Sequence, residues 1–144
     1  MNVRTATIKD FKKLYSLGSR IPELKVDKHE PFMTKEEFKS AIKNPYGVFL
    51  LAEEDRKILG FAYANMKDER MYKTACLVYL AVHPEYRHRG IGSLLSKERL
   101  KRLKRLGVKL VYSWIGANNK RMQKFAREQG FKRGKEFFWF DKKL

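Results

Sequence analysis

The 144-residue chain carries 33 Lys and Arg against 16 Asp and Glu, a formal charge of +17, with 43% hydrophobic residues. That length suits a single domain over residues 1–144 with a proper core, and a sequence this rich in Phe and Tyr is not one that stays disordered. No run of about 18 apolar residues is present to span a membrane, and Met1 to Thr7 lack the apolar core of a signal peptide, so a cytoplasmic protein without membrane contact is expected.

In chain order, Val3–Ala6 reads as a first strand. Thr7-Ile8-Lys9-Asp10 is a capping box with Asp in the reach-back position, opening a helix through Leu14 and Leu17 that stops near Gly18. Ile21 to Phe32 holds Pro22 and Pro31 and keeps no period, which predicts a loop or broken helix. Thr34-Lys35-Glu36-Glu37 is a full capping box, Phe38, Ala41 and Ile42 give the helix its apolar face, and Asn44 to Gly47 turns the chain. Two β-rich runs, Val48–Ala52 and Ile58–Ala64, flank a short charged connection and predict an antiparallel hairpin. Met66 to Thr74 is a polar link into a strand from about Ala75 to Val82. After a helix ending at Gly107, Val108–Ile115 is expected as a strand parallel to it, followed by a helix from about Asn119 to Gln129 closed by Gly130-Phe131. Glu136–Phe140 is strongly β-prone and reads as a last strand.

The stretch from Val78 to Leu95 organises the rest. Val78–Val82 is an unbroken apolar run of the kind a doubly covered strand shows. Pro84 has no N–H for a ladder and ends it near His83. Gly90 and Gly92 let backbone amides approach whatever lies over the loop. Ile91, Leu94, Leu95, Leu103 and Leu106 then give the next helix an apolar side, with Leu100 off it. A helix start ringed by Arg87, His88 and Arg89 suits a phosphate. A Walker loop would need Lys-Ser/Thr after its last glycine, where Ser93-Leu94 stand. A dinucleotide fingerprint would need a small residue where Leu95 stands.

Arg87-x-x-Gly90-x-Gly92, preceded by a strand and His83-Pro84 and followed by Leu94-Leu95, resembles the acetyl-CoA-binding motif of the GNAT superfamily of N-acyltransferases, whose pattern is Gln/Arg-x-x-Gly-x-Gly/Ala. Asn119, Phe125, Gly130 and Phe131 occupy a second signature of that family. The resemblance covers the full length. It implies an α/β (α+β) fold with a GNAT-type mixed central sheet in the order β-α-α-β-β-β-α-β-α-β. It further implies that the main chain of Leu80, Ala81 and Val82 bonds the pantetheine arm and acetyl carbonyl of acetyl-CoA. The amides of His88, Arg89, Gly90, Ile91, Gly92 and Ser93, opened by Arg87, would hold the pyrophosphate. Asn119 would bond the pantetheine arm, a role compatible with an N-cap.

The reaction so implied is attack of a primary amine on the thioester carbonyl, with the Val82 amide as oxyanion donor. Many relatives carry a Tyr general acid where this chain has Ala126, and some carry a Glu where it has Trp114. Tyr79 and Tyr112, on the strands flanking the thioester, are the candidates for the missing acid, with packing as the structural alternative. Glu23, Asp27, His29 and Glu30 lie in the segment that lines the acceptor groove in relatives. Cys76 is read as a small buried hydrophobe, the one cysteine excludes an internal disulfide, and the three histidines show no metal spacing, so no metal is expected. The basic charge leaves RNA or ribosome contact open as an alternative use of the fold, as Ala126 and Trp114 leave a catalytically weak CoA-binding module. The amine acceptor is not legible, and either a monomer or a homodimer is compatible with the sequence.

Overall fold

The computed structural model describes residues 1–25, 32–66, 73–138 and 140–144. Two compact units make up the chain, Met1–Trp114 and Ile115–Leu144. The first holds β1 (Asn2–Thr5), α1 (Phe11–Gly18), α2 (Lys35–Lys43), β2 (Gly47–Glu54), β3 (Lys57–Met66), β4 (Thr74–Val82), α3 (Ile91–Arg105) and β5 (Leu110–Tyr112). The second holds α4 (Lys120–Glu128). The strands form one sheet in the order β1-β2-β3-β4-β5, antiparallel until β4 meets β5 in parallel. The mixed sheet and the element order expected from the sequence are therefore present from β1 to α4.

Local chemistry sets the element ends. The β2–β3 hairpin turns on Asp55 (φ 48°) and Arg56 (φ 63°), both left-handed, which matches the twist of the flanking strands. Before α1, a 3₁₀ turn at Ile8–Asp10 intervenes. Asp10 Oδ2 accepts the Thr7 N–H at 2.8 Å, while the Asp10 N–H goes to the Thr7 carbonyl at 3.0 Å, so the reach-back half of the box is made. Arg4 adds a bidentate contact, 2.8 Å to each Asp10 oxygen, and its Nε reaches Glu53 at 2.7 Å. Those guanidinium bonds hold the buried Asp10 carboxyl down at about 2. At α2 both halves of the box form, Glu37 N–H to Thr34 Oγ1 at 3.1 Å and Thr34 N–H to Glu37 Oε2 at 2.7 Å. Helices α3 and α4 end alike: Gly107 and Gly130 are left-handed, and the next residue's N–H returns to Leu103 O (3.1 Å) and Ala126 O (3.0 Å), the Schellman arrangement.

Alternation along the strands gives the sheet two unlike faces. On one, Phe49, Phe61, Tyr63 and Tyr79 interlock with Phe32, Leu14, Leu17 and Phe38 from the α1–α2 side. On the other, Gly60, Ala62 and Ala64 form a low strip against α3, with Leu95 Cδ1 lying 3.2 Å from where a Gly60 Cβ would be. The same Cβ would stand 2.6 Å from the Ala81 carbonyl oxygen, so only glycine fits.

Several expectations are corrected. β4 is not covered on both faces, because Val78 is 40% exposed. The face α3 buries is Ile91, Leu95, Ser96, Arg99 and Leu103, whereas Leu94 and Leu106 are exposed. The parallel strand is shorter than Val108–Ile115. Glu136–Phe140 forms no strand among the described residues, and Phe137, Phe138 and Phe140 are exposed. Extended propensity makes a strand only where a neighbouring edge accepts its N–H and C=O groups. Asp27, His29 and Glu30 lie outside the described residues, and the segment before them contains a 3₁₀ turn at Pro22–Leu24 that carries Glu23. Among the described residues no helix is long and apolar enough to cross a membrane.

Candidate active site

Strand β4 changes partners along its length. Its pairing with β5 covers only Thr74↔Leu110, Ala75↔Val111 and Cys76↔Tyr112. At the next residue the Leu77 carbonyl accepts the Ser113 hydroxyl at 2.9 Å in place of a ladder bond. Beyond that point no described strand pairs with β4 on the β5 side. On the β3 side the register jumps from Ala64↔Leu77 to Tyr63↔Tyr79, so Val78 is an extra residue. Such a β-bulge bends its strand and raises the local twist.

The direction of the main-chain groups past the bulge follows from one bond. His83 N–H donates to Leu59 O at 2.8 Å. Hydrogen-bonded and open pairs alternate in an antiparallel ladder, so Gly60↔Val82 is an open pair, and so is Ala62↔Leu80. The N–H and C=O groups of Val82 and Leu80 thus point away from β3, while those of Ala81 are used on Phe61. Of the three main-chain positions expected to face the cofactor, the ladder leaves Leu80 and Val82 and takes Ala81.

The loop after β4 is braced at several points. Pro84–Tyr86 is a 3₁₀ turn whose first N–H, that of Glu85, goes to His83 Nδ1 at 3.3 Å. Arg87 Nε folds back to the Val82 carbonyl at 3.2 Å and fixes the strand end. The Arg89 guanidinium sits 5.6 Å from the Tyr86 ring centroid and 3.9 Å from the Glu54 carboxylate. His88 (φ 62°) and Gly90 (φ 76°) are left-handed, and Gly90 caps α3 without a side chain. The helix leaves the N–H groups of Ile91, Gly92 and Ser93 without i−4 acceptors, and Leu94 N–H is the first to bond, to Gly90 O at 3.0 Å. A Cβ on Gly90 would meet nothing within 4 Å, and one on Gly92 would meet only Val82 Cγ2 at 3.6 Å, so the space over these amides is open. An anionic group with a thin arm running along β4 fits that geometry: donors and positive charge at one end, outward main-chain groups at Val82 and Leu80 along the other.

The two candidate acids stand in different settings. Tyr79 packs against Phe32, Phe61 and Tyr63 and donates its hydroxyl to the Phe32 carbonyl at 3.1 Å; burial pushes the phenol up to about 12. A proton so engaged and so weakly acidic is badly placed to be given to a leaving thiolate. Tyr112 stands on β5 opposite Cys76, edge-on to Trp114 with centroids 6.3 Å apart. In the second unit Asn119 caps α4, its Oδ1 accepting the Met122 N–H at 3.0 Å, which leaves the carboxamide NH2 as its donor end. Cys76 is partly buried and reduced. Among the described residues no group of three or more His, Cys, Asp and Glu could hold a metal ion.

Two residues escaped sequence reading. Ser113 was hidden because a branch point between strands has no local signature. Arg99 had a signal: it falls in the i, i+4 row Ile91-Leu95-Arg99-Leu103, a charged residue on a buried stripe.

Comparison with known proteins accords with this geometry. An uncharacterized N-acetyltransferase of Methanocaldococcus jannaschii is 28% identical over 97 residues, covering 65% of this chain. This chain spans less than half, 43%, of that relative. Among solved structures, the PaiA N-acetyltransferase of Thermoplasma acidophilum, in complex with coenzyme A, superposes with a TM-score of 0.78 at 24% identity, over 91% of this chain and 89% of that one. An aminoglycoside antibiotic 6′-N-acetyltransferase of Acinetobacter haemolyticus gives 0.78 at 19% identity, over 100% and 99%. The sequence profile described as the Acetyltransferase (GNAT) family matches residues 10–131, most of the chain, and the chain belongs to that family.

Proposed function

We propose that this chain is an acetyl-CoA-dependent N-acetyltransferase that acts on a primary amine by direct attack. The observation that carries the reading is the parting of β4 from β5 after Cys76, which leaves the end of β4 that runs towards the glycine loop of α3 with no described strand on that side. In this reading the amides from His88 to Ser93 hold the pyrophosphate, aided by the charge of Arg87 and Arg89. Bound acetyl-CoA supplies the activated acyl group. Leu80 and Val82 orient the pantetheine arm through their outward main-chain groups, and the Val82 N–H donates to the carbonyl oxygen as negative charge develops there.

The chain offers Ala126 where a Tyr general acid often stands, and Tyr79 is committed elsewhere. In this reading Tyr112 packs against Trp114, and the thiolate leaves without a dedicated donor among the described residues. Because a positioned acid is worth about 10²–10⁴-fold, turnover should be slow and should rise with pH as the free amine becomes available. An acetyl-CoA turnover screen across amine classes, with an aminoglycoside among them, tests the activity. Saturating CoA should raise the melting temperature of the protein. Gly90→Val, which forces a branched residue into a left-handed position over the open amides, should abolish that rise. CoA binding without turnover on any amine would favour a CoA-binding module instead; no shift at saturating CoA would sink the cofactor assignment.

A further inference from the structure

Arg99 lies on the buried face of α3, 2% exposed, the bulkiest fully buried side chain of the described residues. No carboxylate among the described residues pairs with it. Instead, a single nitrogen, Nη1, donates to Tyr79 O at 2.7 Å and to Tyr63 O at 3.2 Å, while the buried Nε has no hydrogen-bond partner among the described residues. A desolvated guanidinium bound only by neutral carbonyls is a costly choice for a helix–sheet interface, where Leu or Met would fill the space. Its location explains the choice. Tyr63 and Tyr79 are the last regular pair before Val78 is squeezed out of the ladder. Arg99 therefore grips both strands at the bulge, one residue ahead of Leu80.

We infer that Arg99 is a positioning residue for the cofactor groove: by bonding Tyr63 O and Tyr79 O from α3 it holds the β4 bulge, and with it the outward presentation of Leu80 and Val82. The inference rests on the proposed use of that groove for acetyl-CoA. The geometry is specific. The guanidinium comes from the same helix whose first turn offers the Ile91, Gly92 and Ser93 amides, so loop and bulge are tied to one rigid element. A register without the bulge would turn every β4 side chain after Leu77 to the opposite face and would move Leu80 and Val82 into the positions where main-chain groups are used on β3.

The test uses Arg99→Met, which keeps the bulk and removes the donors, and Arg99→Lys, which keeps a cationic donor. Amide hydrogen exchange of the CoA-free protein and calorimetric CoA affinity are both read. Arg99→Met should speed exchange of the ladder-bonded Tyr79 and Ala81 amides at least tenfold while β1 and β2 amides keep their protection. It should weaken CoA at least tenfold and raise the KM for acetyl-CoA more than that for the amine. Arg99→Lys should restore exchange and affinity to within about threefold. A folded Arg99→Met with native exchange at Tyr79 and Ala81, or with native CoA affinity, overturns the inference. So does uniform acceleration over all strands without rescue by lysine, the mark of simple destabilisation. If Arg99→Met does not fold, Arg99→Lys decides alone: native exchange and affinity support the clamp, and faster exchange throughout the sheet opposes it. A wild-type protein that binds no CoA would defeat the proposed function, whereas the exchange comparison would still report on the clamp.

Discussion

The two faces of the sheet are built on opposite principles. Towards α1 and α2, the face is made of volume, with Phe32, Phe38, Phe49, Phe61, Tyr63 and Tyr79 sharing one cluster in tilted and edge-on contacts. Towards α3 it is made of absence, Gly60, Ala62 and Ala64 leaving room for a helix that brings a loop at one end and a guanidinium in its middle. Redundant packing spreads the cost of any single loss. A close approach between helix and strand has no such reserve, and the loop proposed to hold the cofactor lies on that side.

The contrast breaks most sharply in a paired substitution. Gly60→Leu drives side-chain atoms into the Ala81 carbonyl and Leu95, and no folded protein is expected from it by circular dichroism. Phe61→Ala removes a ring from the centre of the other face yet should leave a folded protein weakened by about 3–5 kcal/mol in urea denaturation. Equal outcomes for the two would erase the distinction between the faces.

A second probe is acid. Asp10 ties the start of α1 to β1 through Arg4, and its carboxyl is held at about 2 against an ordinary 3.8. A depressed carboxylate stabilises the fold above its unfolded value, and that contribution is lost as pH falls from about 4 through 2. It amounts to about 2 kcal/mol. Asp10→Asn should remove this at pH 7 and flatten the stability profile between pH 4 and 2, as followed by denaturant titration at stepped pH. A wild-type profile already flat there would show that the Arg4 pair contributes nothing.

The smallest effect sharpens the role of Tyr79. Tyr79→Phe deletes the bond to Phe32 O and should cost about 1 kcal/mol. The acetyl-transfer rate at neutral pH should stay within twofold, because the phenol proton is already given to the Phe32 carbonyl. A tenfold loss of rate with CoA affinity intact would return Tyr79 to the chemistry.

What the sequence revealed and what it concealed divide along the same line. The two capping boxes, the glycine stops at Gly107 and Gly130, the hairpin and the His83-to-Ser93 loop were all legible, since each depends on a few residues bonding their own neighbours. The bulge at Val78 was not, because an apolar run reads the same with or without a slipped register. The direction of the Ala81 groups depends on the ladder formed with β3 and is invisible in β4 alone. Glu136–Phe140 shows the reverse error, a local preference with no described edge to satisfy it. The burial of Arg99 lay between these cases, stated by the helical row but masked by the basic residues that follow it.

The unbroken helical course of α3 between its first turn and Arg99 limits how this chain can change in length. From Ile91 to Arg99 is eight residues, about 12 Å at 1.5 Å per residue. Deleting or inserting one residue there would swing everything beyond it by about 100° around the axis. The guanidinium would leave the strip facing the sheet, and Leu103 would leave with it. Homologues and library variants should therefore gain and lose residues freely at the Asp55-Arg56 hairpin, whereas the interval from 91 to 99 should be fixed in length even where its side chains drift. A length-variant library selected for soluble expression would show this as a gap in tolerated lengths confined to that stretch.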